Sequence, residues 1–358
     1  MIYKKYFSKK SINQEIFNRK INWYFDIKSI LYQKKANFLK ESKNHALILK
    51  KNFSELTIKK QKKNQYNKKF ILTKKINWNN FTSNKDQDFR KKIKKNFLFL
   101  QKNNIQKYTK FFLVHGSLAS KDYIKGWSDL DTFVVLKNEI FQDVNQIIKL
   151  RKILKKFYIK LLKVSPFQHH GLIIYTEKDL QNYLSGFLPI QALEKSFNLF
   201  ANEKIEMKCV ETKKNLSLIS LKERLKYLIK GNRIGYYDHH AYKGNGLTTP
   251  LIEGKNQMYQ LFCHIGYMLN IPILYFDAIG KSLHKKKSFS KFYKIIKEKK
   301  IISLIKNSEK IRNIWSQKKI VNKNIPDWII DILGKNYLFD SQIVLKKIIY
   351  LINKHNTK

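Results

Sequence analysis

Two stretches decide how this chain is read: Phe111-Phe112-Leu113-Val114-His115-Gly116-Ser117, and Asp129-Leu130-Asp131-Thr132-Phe133-Val134-Val135-Leu136. Each contains an apolar run of the length expected for a buried strand. The first run ends in a Gly-Ser turn, and the second follows two aspartates separated by one residue. Side chains alternate along an extended segment, so Asp129 and Asp131 are expected on one face, roughly 7 Å apart along the backbone. Two carboxylates placed this way can converge on a pair of divalent cations about 3.5–4 Å apart, which suits in-line attack on a phosphate. Gly116 permits close backbone approach, and Ser117 offers a hydroxyl where a triphosphate can sit.

Working outward, Ile93, Phe97, Leu98 and Leu100 predict a helix feeding the strand at Phe111. A long amphipathic helix is expected over Glu139–Lys163, carrying Ile140, Ile147, Ile148, Ile153, Leu154 and Leu161. Pro166 ends it, Gly171-Leu172-Ile173-Ile174-Tyr175 reads as a short buried strand, and a helical stretch with Asp179 and Tyr183 follows. Strand, turn, helix, strand, helix and strand make a small α/β unit. After Pro189 the periodicity becomes helical, over Gln191–Ala201, Leu218–Ile234, Leu251–Leu269 and Ser341–Ile352. Before Lys91 the chain is rich in Lys and Asn, with Ile12, Ile16, Phe17 and Ile21 at helical spacing and a charged stretch over Lys59–Lys69 that reads as a solvated loop or frayed helix. The expected fold class is α+β. A helical N-terminal region spans 1–90, a small mixed-sheet domain spans 91–188, and an α-helical domain spans 189–358.

The formal net charge is +47. It consists mostly of Lys, whereas Arg is the residue preferred for bidentate phosphate and base contacts. The Lys excess accompanies excesses of Asn, Ile, Phe and Tyr, the amino acids of A/T-rich codons, so base composition accounts for it better than ligand choice. Non-specific polyanion binding at low salt is the expected physical consequence. Cys209 and Cys263 supply neither a disulfide framework nor zinc-ligand spacing. The basic N-terminus lacks a following apolar region, and no run of about 20 apolar residues is seen, so a cytoplasmic protein without a membrane span is expected.

The segment from Gly116 to Asp131 resembles the nucleotidyltransferase superfamily of the DNA polymerase beta type. Within it, the segment is most similar to the small-molecule branch that includes aminoglycoside adenylyltransferases and minimal nucleotidyltransferases. That resemblance implies that Asp129 and Asp131 hold magnesium, with two ions, and that Gly116, Ser117 and Ser128 hold a nucleoside triphosphate such as ATP. An acceptor hydroxyl, on a small molecule or a protein, would attack the α-phosphorus and pyrophosphate would leave. Relatives usually carry a third carboxylate near the position of Gly171, where this chain reads Gln168-His169-His170-Gly171. His170 or His169 is the candidate replacement base, since imidazole titrates near neutrality, and His170 is the assignment made here. Neighbouring strand residues face opposite ways, so at most one of the two faces the carboxylates. The other functional classes are a template-independent RNA nucleotidyltransferase and a catalytically inactive nucleotide-binding regulator.

Three further groups have an ordinary reading beside a functional one. Trp127 can stack on a base or pack the loop. Asp238-His239-His240 offers metal-ligating side chains, but consecutive residues rarely reach one ion, which favours a polar loop. Lys285-Lys286-Lys287 can approach a triphosphate or form a solvated face, and the Lys-rich composition favours the face.

Overall fold

The computed structural model describes residues 13–31, 38–56, 66–82, 87–120, 122–124, 127–165, 168, 171–184, 188, 190–210, 215–234, 257–315 and 325–357. The chain divides into two compact units, Met1–Glu211 with Leu247–Leu251, and Thr212–Gly246 with Ile252–Lys358.

The first unit is built on a mixed seven-stranded sheet in the order β4-β3-β2-β6-β1-β7-β5. Its strands are β1 (Tyr66–Lys75), β2 (Thr109–Val114), β3 (Thr132–Leu136), β4 (Ile173–Thr176), β5 (Tyr183–Leu184), β6 (Phe197–Asn198) and β7 (Glu203–Val210). Its helices are α1 (Gln14–Phe25), α2 (Ile27–Leu31), α3 (Phe38–Ser54), α4 (Trp78–Thr82), α5 (Gln87–Lys102), α6 (Gly116–Ala119), α7 (Val144–Val164) and α8 (Glu177–Leu180).

Alternation along the strands sorts the core into two faces. Phe112, Val114, Val134, Leu136 and Ile174 join Phe17, Ile21, Ile93, Phe97, Leu150, Leu154 and Phe157 from the helices. Phe111, Leu113, Phe133, Val135 and Tyr175 join Ile71, Tyr183, Ile205 and Met207 on the other side. α1 begins where the Asn13 side chain accepts from the Ile16 N–H. α7 begins where Asp143 accepts from Asn145 N–H. Both are N-caps satisfying an otherwise unpaired helical donor.

The sheet draws strands from all three segments expected from the sequence. β1 lies within 1–90, and its N-terminal part falls in the Lys-rich stretch read as a solvated loop or frayed helix. Residues 57–65 lie outside the described residues. β1 is a strand because it pairs antiparallel with the distant β7, from Tyr66↔Val210 to Thr73↔Glu203. Its own alternation is masked, since Phe70 and Leu72 are exposed while Ile71 and Thr73 are buried. The helix expected over Gln191–Ala201 is instead a 3-10 turn, Ile190–Leu193, followed by β6. Pairing with β2 and β1 overrides local periodicity there. The helical stretch expected around Tyr183 is short; α8 stops at Leu180 and Tyr183 opens β5.

The second unit is helical, as expected: α9 (Asn215–Ile234), α10 (Gln257–Ala278), α11 (Lys285–Ile295), α12 (Lys299–Ile314), α13 (Asp327–Leu333) and α14 (Tyr337–Asn356). α10 runs through Pro272, past the expected end at Leu269. Contrary to the reading that no run is long enough, Leu261–Ala278 passes the length and composition test for a membrane span. Most of that run is buried within the protein, including Ile265, Met268, Ile271 and Phe276. Core helices of soluble proteins satisfy the same criterion.

Candidate active site

β2 and β3 are antiparallel, with Val114 opposite Thr132. The residues just beyond each end must therefore meet, and His115 N–H donates to the Asp131 carbonyl at 3.1 Å. The Gly-Ser turn and the paired aspartates, separate in sequence, thus share one corner of the sheet.

Asp129, Leu130 and Asp131 stand at the entrance to β3, which begins at Thr132. Leu130 is buried and belongs to the helical side of the core, while Asp129 and Asp131 are each half-buried. Gly116 opens α6 with φ of +67°, a conformation that side-chain-bearing residues rarely adopt. A Cβ there would lie 2.1 Å from Oδ2 of Asp131. The volume a side chain would need is therefore already filled by the carboxylate. That is a more specific reason for glycine than the phosphate approach inferred from the sequence.

The connecting loop is tied back on itself. Trp127 and Ser128 N–H groups donate to the Ile124 carbonyl at 3.0 and 2.8 Å, and the Ser128 hydroxyl accepts from Ile124 N–H at 3.0 Å. Trp127 and Ser128 are both buried. Ser117 is half-buried at the first turn of α6, its carbonyl accepting from Asp122 N–H at 3.1 Å. The Ser120 hydroxyl donates to the Asp122 carboxylate.

β4 runs parallel to β3, with Phe133 opposite Ile173. Continuing that register backward sets Asp131 opposite Gly171, the position expected for a third acid. No side chain fits there. A Cβ on Gly171 would lie 2.7 Å from Tyr158 Oη, 3.0 Å from Ile27 N and 3.1 Å from Asp26 Cα. The N-terminal helices occupy this space, and Asp26 Oδ2 accepts from Gly171 N–H at 3.1 Å. His169 and His170 lie outside the described residues, as do Asp238, His239 and His240. Lys285, Lys286 and Lys287 open α11 in the second unit, with Lys286 and Lys287 exposed.

Sequence reasoning missed Gln168. Its buried amide accepts from Leu130 N–H at 2.8 Å and donates to the Leu130 carbonyl at 3.3 Å. It also missed the role of α1. Gln14, Asn18, Asn22 and Asp26 follow one another at four-residue intervals, the spacing of a single helix face. Gln14 and Asn18 donate to Asp179 Oδ1 at 2.6 and 2.9 Å. Asn22 donates to the Ile174 carbonyl and accepts from its N–H, both at 2.7 Å. This polar row covers the outer edge of β4, whose backbone groups would otherwise lack a strand partner. Its spacing was visible in the sequence.

Residues 90–223 match the nucleotidyltransferase domain family. This segment accordingly belongs to the nucleotidyltransferase superfamily, and domains of this class take a nucleoside triphosphate and an acceptor, generally with a divalent metal. The match covers the Gly-Ser turn, both aspartates and Gln168. No curated protein and no solved structure matches the chain.

The donor chemistry fits a divalent cation that shares its coordination shell with phosphate and water. Magnesium is commonly held by one or two protein carboxylates, with phosphate oxygens and water completing the shell. Asp129 and Asp131 are such a pair. Among the described residues, no group of three His, Cys, Asp or Glu side chains is arranged to hold a metal.

Proposed function

We propose that this chain is an enzyme that transfers a nucleoside monophosphate from a triphosphate, ATP in the first instance, to a hydroxyl of a small molecule or a protein side chain. The observation that carries this reading is the seating of the Asp131 carboxylate on Gly116, within the segment matched by the family. In this reading, the backbone of Gly116 and Ser117 receives the β- and γ-phosphates. Ser128 acts through the loop, by tying Ile124 to the acidic segment. Asp129 and Asp131 provide oxygen ligands for two magnesium ions. Magnesium, when bound, offsets phosphate charge and lowers the cost of the in-line displacement. Holding acceptor and α-phosphorus together supplies much of the remaining advantage. His170 is the proposed proton acceptor because it precedes Gly171 in sequence. The Lys-rich surface contributes salt-sensitive attraction for polyanions.

Incubating the protein with α-labelled ATP and a cytoplasmic extract tests this reading. Label is expected in a small molecule or a protein, and is expected to be lost in the Asp129→Asn/Asp131→Asn variant. Label in RNA would favour the template-independent alternative. Absence of transfer with every labelled triphosphate would favour the regulatory one.

A further inference from the structure

We infer that Gln168 is a positioning residue for Asp129 and Asp131, an inference that rests on the proposed transferase reading. Its side chain is almost wholly buried, at 1% exposure. Its amide grips the Leu130 backbone twice, Oε1 accepting from the N–H and Nε2 donating to the carbonyl. A primary amide offers a donor and an acceptor side by side, as a peptide group of a neighbouring strand does.

On the β2 side the acidic segment is held where His115 donates to Asp131. On the other side, the β3–β4 ladder is registered only from Phe133↔Ile173 onward. Asp129–Asp131 lies before that point, and there the Gln168 side chain bonds the Leu130 backbone. The two peptide planes that flank Leu130 carry the Cα atoms of both aspartates. Fixing the N–H and the carbonyl of Leu130 therefore restrains both acids at once.

The clamp is itself anchored. Gln168 N–H donates to the Ser165 carbonyl at 3.1 Å, and Ser165 N–H donates to Leu161 at 2.8 Å, just beyond α7. Tyr158 on α7 donates to the Phe25 carbonyl at 2.8 Å and accepts from Leu172 N–H at 2.9 Å. An apolar residue at 168 would fill the same volume without these bonds. The buried amide confers direction on the acids, and a site of this kind depends on support from residues that do not touch the substrate.

The test compares the full-length wild type with Gln168→Leu and Gln168→Glu. Glu keeps the acceptor for Leu130 N–H and loses the donor to its carbonyl. Binding of a methylene-bridged ATP analogue is followed by calorimetry across a magnesium titration, alongside thermal unfolding. For Gln168→Leu, the magnesium concentration for half-maximal binding is expected to rise about tenfold, and label transfer to fall about 10²-fold, the scale of a 1 Å misplacement. Gln168→Glu is expected between Leu and wild type. Metal-free binding of the analogue is expected to be equal in all three.

A lowered unfolding temperature with unchanged magnesium dependence would overturn the inference, leaving Gln168 a purely structural residue. Should the Leu variant fail to fold, a wild-type magnesium profile in Gln168→Glu would overturn it equally. Wild-type magnesium dependence in Asp129→Asn/Asp131→Asn, or no metal-dependent binding to wild type, would overturn the transferase reading and this inference together.

Discussion

Gly116→Ala is the smallest change that challenges the proposed site. The new Cβ would lie 2.1 Å from Asp131 Oδ2, whereas real Cβ contacts essentially never fall below 3.0 Å. The carboxylate must therefore retreat by roughly 1 Å, or the turn must open by as much, and a shift of that size can cost about 10²-fold in rate. The left-handed φ of +67° adds a backbone penalty of about 1–2 kcal/mol. For a unit of this size that lowers the unfolding temperature by only about 2–8 °C, so the variant is expected to fold. Label transfer from α-labelled ATP, measured beside thermal unfolding, separates the two effects. Transfer is expected to collapse while most of the stability is retained. Wild-type transfer by folded Gly116→Ala would refute the placement of Asp131 in the reactive corner.

Two further outcomes concern the frame around the site. Asn22→Leu leaves both polar backbone groups of Ile174 without their side-chain partner, and urea unfolding should show a loss of about 2 kcal/mol; an unchanged midpoint would contradict the edge-covering role of α1. Stability should also fall on acidification. Burial lowers the His264 imidazole to about 3, and burial with the Arg151 charge lowers His45 to about 4, from an ordinary 6.5. Between those values and 6.5 the unfolded chain binds protons that the folded one does not. Stability therefore rises with pH across the interval and is lost as pH falls below 6.5. Urea unfolding across that range should show the slope, and His264→Gln should flatten part of it; an identical slope in the variant would exclude His264 as a source.

The corner that joins the Gly-Ser turn to the paired aspartates was legible in the sequence because its parts are local. An apolar run, a Gly-Ser turn and an Asp-x-Asp ahead of a second apolar run are each recognisable from a few adjacent residues, and β2 and β3 stand at Thr109–Val114 and Thr132–Leu136. The long helix α7 and the second-unit helices α9, α10 and α14 were legible for the same reason, through apolar residues recurring every three or four positions, whereas α11, α12 and α13 were not read from the sequence. The strands β1, β6 and β7 were not. Lysines interrupt the apolar pattern of β1 and β7, β6 is only 2 residues long, and each is a strand through hydrogen bonds to partners far along the chain.

The missing third acid shows the division most clearly. From the family resemblance, a carboxylate was expected near the position that Gly171 holds in this chain. Only the tertiary structure supplies the reason for its absence, since Tyr158 and the Asp26–Ile27 backbone fill the volume a side chain would need. Likewise, a glutamine at 168 is unremarkable in the one-dimensional chain. Its meaning comes from lying within hydrogen-bond distance of Leu130, thirty-eight positions away. Residue chemistry and short-range periodicity travel with the sequence. Contact between distant segments depends on how the whole chain packs, and that packing determines which buried polar groups support the acids.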